Sequence, residues 1–258
     1  MVSNPIGSSF ADCEINMKIV AIIQARMHSS RLPGKVLLPV LGKPLLQHMI
    51  ERLHGCYTLS DIVVATTKTS PEIVELCQAL DVGYWIGSED DVLGRVLEAA
   101  DFFDADIIVE LTGDCPLQDP AMVDKVVSDF LLGGADFVSN NLHYTAPRGF
   151  DVRVFSTASL AWVNRLTDDP ADHEHVSLYM WENPRLFTTR NVRTELDDKV
   201  KDYRLTVDTQ EDFELVKAIF TELYPHKERF NLSDILDLLE RSPELVQINQ
   251  HIRQKAVR

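Results

Sequence analysis

KIVAIIQARMHSSRLPGKVLLPVLGKP, residues 18–44, decides how the rest of the chain is read. The β-branched run Ile19–Ile23 has the character of a strand buried on both faces of a parallel sheet. A polar loop follows, carrying Arg26, Ser29, Ser30, Arg31, Pro33, Gly34 and Lys35. After a second break at Pro39 and Gly42, the periodic Leu45, Leu46, Met49, Ile50 and Leu53 predict a helix with Pro44 at its start. A basic, glycine-containing loop leaving the end of a buried strand suits phosphates, because the backbone approaches closely and the cations neutralise oxyanions.

The distribution of charge sharpens this reading. The 258 residues hold 40 acids and carry a net charge of −15, so a window the length of Ile15–Ile50 should hold about five or six acids. It holds none, yet it contains Lys18, Arg26, Arg31, Lys35 and Lys43. A solvated surface loop is the plain alternative, and an anion site is the sharper one. The acidity of the whole chain argues against a nucleic-acid or anionic-membrane surface, since both need a basic face.

Onward from the loop, strand signals at Asp61–Thr67, Val82–Ile86, Asp106–Leu111 and Ala135–Ser139 alternate with helix signals. The helices are expected at Pro71–Leu80 with Ser70 as N-cap, at Asp91–Phe103, and from Asp119-Pro120 to Leu132. Such alternation predicts an α/β fold: a doubly wound, mostly parallel Rossmann-like sheet that binds its ligand beyond the carboxyl ends of the strands. Residues 140–196 break the rhythm. There Gly149–Phe155 reads as an edge strand, Thr157–Leu166 and Asp172–Trp181 as helices, and Arg185–Thr194 as a further strand. Tyr203–Val207 (strand), Glu211–Leu223, Ser233–Glu240 and Glu244–Ile248 (helices) complete the chain.

Two acids fall where ligands would sit. Asp114, in Leu111-Thr112-Gly113-Asp114-Cys115-Pro116, follows a buried strand directly. Asp208, in Arg204-Leu205-Thr206-Val207-Asp208-Thr209, repeats the arrangement before a helix start. Read singly, Asp114 is a turn residue and Asp208 a helix cap. Read together, opposite a basic loop, they form an oxygen-ligand pair for Mg²⁺, which prefers one or two carboxylates and completes its shell with phosphate and water. Thr206, Glu211 and Asp212 read as structural. His173 and His175 point roughly 200° apart at helical spacing, so Asp172-His173-Glu174-His175 reads as a polar helix start.

The stretch Gln24-Ala25-Arg26-Met27-His28-Ser29-Ser30-Arg31-Leu32-Pro33-Gly34-Lys35 resembles the signature of the cytidylyltransferases that activate acidic sugars. These are the KDO and acylneuraminate enzymes, with the SpsF spore-coat polysaccharide branch most alike. The G-D-x-P context of Asp114 and the V-D-T context of Asp208 match as well. The resemblance implies a fold of the nucleotide-diphospho-sugar transferase type, in one domain over residues 17–258. It also implies transfer of CMP from CTP to a sugar, with pyrophosphate released. Gln24, Ala25, Arg26, Ser29, Arg31, Lys35 and Thr112 would contact the nucleotide. Lys35, Arg31, Asp114 and Asp208 would act in catalysis, the two acids as Mg²⁺ ligands. Glu174 and His175 would face the sugar, and Arg148 and Asp151 either line its pocket or simply make turns. Residues 140–196 would carry the sugar site and a homodimer contact, for they hold Phe150, Val154, Phe155, Leu160, Trp162, Tyr179, Trp181 and Phe187 beyond what a covered sheet needs; the alternative is that these residues fold back as a small satellite core.

Other classes fit less well. A GT-A glycosyltransferase would place a D-x-D after a strand, whereas Asp104-Ala105-Asp106 precedes one. A non-catalytic nucleotide-binding module would not need the acid pair. Residues 1–16 show no basic n-region or apolar h-region and read as a disordered extension rather than a signal peptide. No stretch approaches a membrane span. Cys13, Cys56, Cys77 and Cys115 show no C-x-x-C or zinc spacing, which suits reduced thiols in the cytoplasm.

Overall fold

The computed structural model describes residues 17–196 and 198–254. The expected N-terminal extension, residues 1–16, lies outside the described residues. The first half of the chain runs β1 (Ile19–Gln24), β2 (Pro39–Val40), β3 (Lys43–Pro44), α1 (Leu45–Leu53), β4 (Asp61–Thr67), α2 (Pro71–Ala79), β5 (Gly83–Gly87), α3 (Val92–Phe102) and β6 (Ile107–Thr112). The second half runs α4 (Pro120–Leu131), β7 (Phe137–Ser139), β8 (Arg153–Ser156), α5 (Thr157–Leu166), α6 (Pro170–Glu174), α7 (Leu178–Glu182), β9 (Thr189–Asn191), α8 (Gln210–Leu223), α9 (Leu232–Arg241) and α10 (Pro243–Gln247).

One seven-stranded sheet carries the fold, in the order β5-β4-β1-β6-β8-β7-β9. β5, β4, β1 and β6 are parallel, β8 is antiparallel to both β6 and β7, and β9 is parallel to β7. Alternation along β1 explains why it is apolar throughout. Ile19, Ala21 and Ile23 enter one core with α1, α2, α4, α8 and α9, while Val20 and Ile22 enter the other with α3 and α5. A strand covered on both faces has no polar side to offer.

Several sequence expectations are corrected here. Gly149–Phe155 is not an edge strand: β8 lies inside the sheet, with Val154 in one core and Phe155 in the other. Asp172–Trp181 is not one helix. α6 and α7 are separated at His175–Ser177, where Val176 takes a left-handed φ of 47°. Only Thr189–Asn191 of the expected Arg185–Thr194 strand pairs, and Tyr203–Val207 makes a single bridge, Arg148 to Arg204, instead of a strand. Ser70 occupies the N-cap position of α2 but makes no cap bond; its hydroxyl accepts from the Met27 backbone N–H at 3.0 Å. The aromatics of 140–196 serve mostly the chain's own cores. Phe150 and Val154 pack in the first; Phe155, Leu160 and Phe187 pack in the second, with Tyr179 against it. Trp162 and Trp181 stay exposed.

Candidate active site

The basic loop is folded back on itself at the carboxyl end of β1. The Gly34 N–H donates to the Met27 carbonyl at 2.8 Å, and Gly34 has φ 68°, which glycine adopts without penalty. Ser70, fully buried, holds Met27 from below. A 3₁₀ turn over Lys35–Leu37 then directs Lys35 inward.

Asp114 reaches the same place from β6. The Gly113 N–H donates to the Gln24 carbonyl at 2.9 Å, and a Cβ on Gly113 would stand 3.2 Å from both Ala25 Cβ and that carbonyl. A small residue is therefore needed for the two strand ends to lie this close. Asp208 is tied in by backbone: the Val207 N–H donates to the Asp114 carbonyl at 2.8 Å, and the Thr206 hydroxyl donates to it at 3.2 Å.

The convergence is tight. Lys35 Nζ lies 2.7 Å from Asp114 Oδ2 and 2.7 Å from Asp208 Oδ1. Arg31 contacts Asp208 Oδ1 at 2.8 Å, and Arg204 contacts Asp208 Oδ2 at 2.6 Å. The Thr112 hydroxyl donates to Asp114 Oδ1 at 2.6 Å. Burial opposes the charge of Lys35, but Asp114 and Asp208 outweigh it and hold the ammonium above the ordinary lysine pKa. Burial likewise opposes ionisation of Asp208, and Lys35, Arg31 and Arg204 overcome it, keeping that carboxyl below the usual range. Both carboxylates thus already share one cation between two converging oxygens. That donor pair suits a hard divalent cation whose remaining positions come from phosphate and water. Among the described residues no cluster of three or more His, Cys, Asp or Glu could hold a metal by itself.

Of the expected nucleotide residues, Arg31, Lys35 and Thr112 join the acid pair, and Arg26 does not. Its guanidinium donates to the Glu89 carbonyl at 3.1 Å and pairs with Glu174 at 2.8 Å. Gln24 donates to Glu110 at 3.0 Å, Ala25 is buried beneath the loop, and Ser29 stands half-buried within it. The expected sugar residues divide in two. Arg148 donates to the Tyr144 hydroxyl at 2.8 Å and stacks on its ring at 4.2 Å. Asp151 lies beside Arg153 and Arg148; burial, aided by Asp114, raises its pKa despite those cations. Glu174 and His175 instead sit at the end of α6, where Glu174 engages Arg26 and His175 is exposed.

Sequence reasoning missed Arg204, which anchors Asp208. Arg204 also holds the fully buried Asp212 at 2.9 and 3.1 Å, and Asp212 accepts further from the Asp208 and Thr209 N–H groups and from Asn249. The available signal was an arginine four residues before the candidate ligand. Glu110, which stands where the family resembled usually has an arginine, is buried between Gln24 (3.0 Å) and Arg153 (3.3 Å). His173, read as part of a helix start, bridges to the α3 N-cap Asp91 at 2.7 Å.

The chain is similar in sequence and fold to several known proteins. The chain is 39% identical to an uncharacterized protein of Methanocaldococcus jannaschii, over 94% of this chain and 98% of that one. It is 30% identical to the spore coat polysaccharide biosynthesis protein SpsF of Bacillus subtilis (88% and 95%). It is also 30% identical to the 3-deoxy-manno-octulosonate cytidylyltransferase of Geobacter metallireducens (73% and 85%). Among solved structures, a cytidylyltransferase from Leptospira borgpetersenii superposes with a TM-score of 0.86 at 35% identity, covering 92% of this chain and all of that one. Two more share the fold at lower identity. A CMP-2-keto-3-deoxy-manno-octonic acid synthetase complexed with CTP has TM-score 0.62, identity 21% and coverage of 80% and 99%. A Mycobacterium tuberculosis protein complexed with manganese has TM-score 0.56, identity 15% and coverage of 78% and 99%. The cytidylyltransferase family profile itself matches residues 20–250. With that match spanning the sheet, the basic loop and both acids, the chain belongs to the cytidylyltransferase family.

Proposed function

We propose that this cytidylyltransferase couples CTP to a small sugar, of the acidic class its relatives use, to form a CMP-sugar for surface polysaccharide or glycan synthesis. The observation that carries the reading is the convergence of Lys35 and Arg31 on the Asp114–Asp208 pair at 2.7–2.8 Å. Cations for a triphosphate and carboxylates for its metal are what in-line nucleotidyl transfer requires.

In this reading the sugar hydroxyl attacks the α-phosphorus and pyrophosphate departs. Arg31 and Lys35 bind the outer phosphates and neutralise the leaving group. Asp114 and Asp208 would hold Mg²⁺, which when bound withdraws charge from the phosphate oxygens. Thr112 fixes the rotamer of Asp114 through its 2.6 Å hydrogen bond, and Arg204 fixes that of Asp208. Arg148 and Asp151 orient the sugar from one side. No side chain serves as a covalent nucleophile, so catalysis rests on positioning and electrostatics. The test is pyrophosphate release in the presence of Mg²⁺, each nucleoside triphosphate in turn and a panel of sugar acids. Sugar-dependent release with CTP is the expected result. Release with no sugar, or only on transfer to a second glycan, would defeat it.

We also infer a homodimer. The support is narrower than the sequence suggested: Trp162 and Leu166 on α5, Trp181 on α7 and Leu186 just after it remain exposed. Large apolar groups left in water suit a partner surface. Light scattering at tens of micromolar should give twice the chain mass, falling to the monomer in Trp162→Glu/Trp181→Glu. A monomeric parent, or a dimer indifferent to both charges, would sink the inference. Among the described residues no helix is long and apolar enough to cross a membrane. We assign the reaction to the cytoplasm, where CTP is available; recovery of the activity with washed membranes would count against this.

A further inference from the structure

The two oxygens that a divalent cation would take are already held, and by side chains of a particular kind. Asp114 Oδ2 and Asp208 Oδ1 both face Lys35 Nζ at 2.7 Å, and Arg31 adds a second cation on Asp208 Oδ1 at 2.8 Å. The outward oxygens are held differently. Asp114 Oδ1 takes the Thr112 hydroxyl, and Asp208 Oδ2 takes Arg204, itself clamped by the buried Asp212. The fixed partners therefore occupy the oxygens that a metal does not need. The partners on flexible stems, both from the basic loop, occupy the ones it does.

Charge makes the same point. Asp114, Asp208 and Asp212 supply three negative charges, and Lys35, Arg31 and Arg204 supply three positive ones, so the cluster is formally neutral. A free dication meets no net attraction there, and it must push an ammonium away from two carboxylates to reach bonding distance. A triphosphate changes the balance, because it offers Lys35 and Arg31 anions of higher charge than the two acids. Once they turn to it, two uncompensated carboxylates face the phosphates.

We propose that Lys35 masks the metal-binding pair, so that the nucleotide-free protein excludes free divalent cations and the arriving triphosphate opens the site. Metal and nucleotide then bind with strong positive coupling, and by linkage each raises the other's affinity by the same factor. The proposal rests on reading Asp114 and Asp208 as the metal ligands. It assigns Lys35 a role in the order of binding, besides its contact with phosphate.

The test uses Mn²⁺ alone, with the full chain and no nucleotide, following the free-ion signal by electron paramagnetic resonance. The parent should show no binding below millimolar Mn²⁺. Lys35→Met and Lys35→Gln should each bind at least about tenfold more tightly, because the competing cation is gone; thermal melts identify whichever variant folds. Asp114→Asn placed in the Lys35→Met background should remove that gain. Micromolar binding by the parent that Asp114→Asn abolishes would overturn the mask and leave the metal pair standing, as would a Lys35→Met protein that gains nothing. A gain that survives Asp114→Asn would overturn the metal pair itself.

Discussion

Asp114→Asn is expected to lower kcat for nucleotidyl transfer by on the order of 10²-fold to 10³-fold, about 3–4 kcal/mol of barrier. An amide offers the same shape but no charge, so it neither compensates a dication nor holds Lys35 at 2.7 Å. Asp208→Asn should cost as much activity, with a different signature in stability. Asp114 is paired with Lys35 and a hydroxyl, and Lys35 keeps Asp208 as a partner when the Asp114 charge is removed, so the variant should melt close to the parent. Asp208 neutralises Lys35, Arg31 and Arg204 together. Removing its charge leaves the buried Arg204 with Asp212 as its one carboxylate partner among the described residues, so the Tm should fall by several degrees. Steady-state pyrophosphate release, read beside a thermal melt, checks both. Turnover within about threefold of the parent, roughly 0.6 kcal/mol, would remove that residue from the mechanism.

The first half of the fold was legible because its signals are local. β1 and β4 are largely apolar runs, as strands covered on both faces usually are. The second half hid its pairing. Arg153 makes β8 look half-polar and therefore like an edge, but Glu110 on the neighbouring strand neutralises it inside the sheet. No local pattern reveals that the partner is a strand 43 residues earlier. The break between α6 and α7 was equally silent. It falls at Val176, a β-branched residue in left-handed backbone, where sequence rules would expect glycine or asparagine.

The site followed the same division. That Lys35, Asp114 and Asp208 converge was legible, because Lys35 and Asp114 follow the buried strands β1 and β6 and Asp208 precedes the start of α8. The direction taken by Arg26 was not. That residue stands in the basic loop with Arg31 and Lys35, yet its partners Glu89 and Glu174 come from segments 63 and 148 residues away. Positions within a loop do not tell which way a long side chain turns. Arg204 was overlooked because a buried arginine needs a buried acid to be sensible, and Asp212 reads in the sequence as a structural residue, which the structure makes part of the α8 capping box. It is also that buried acid.

Gly149→Ala is expected to be the most damaging small change on the non-catalytic side of the crevice. Gly149 has φ 103°, and a Cβ there would lie 2.5 Å from both the carbonyl carbon and the oxygen of Leu205, with Thr206 N at 2.8 Å. All three are backbone atoms, so no rotamer change relieves the overlap. The crossing is pinned on each side: the Arg148 N–H donates to the Tyr203 carbonyl at 3.1 Å, and the Leu205 N–H donates to the Arg148 carbonyl at 2.8 Å. Left-handed strain and overpacking together should cost about 3–5 kcal/mol, a Tm loss of roughly 10 °C for a chain of this size. Gly42→Ala is the control. It has a similar φ of 81° with nothing within 4 Å of the added carbon, so it carries strain without collision and should lose only a few degrees. Because Leu205 and Thr206 lead directly to Asp208, the collision should also displace the acid from Lys35. Gly149→Ala should therefore lose turnover at temperatures where it is still folded, and Gly42→Ala should not. Equal melting temperatures for the two variants would show that the crossing yields to a methyl group and that it does not set the position of Asp208.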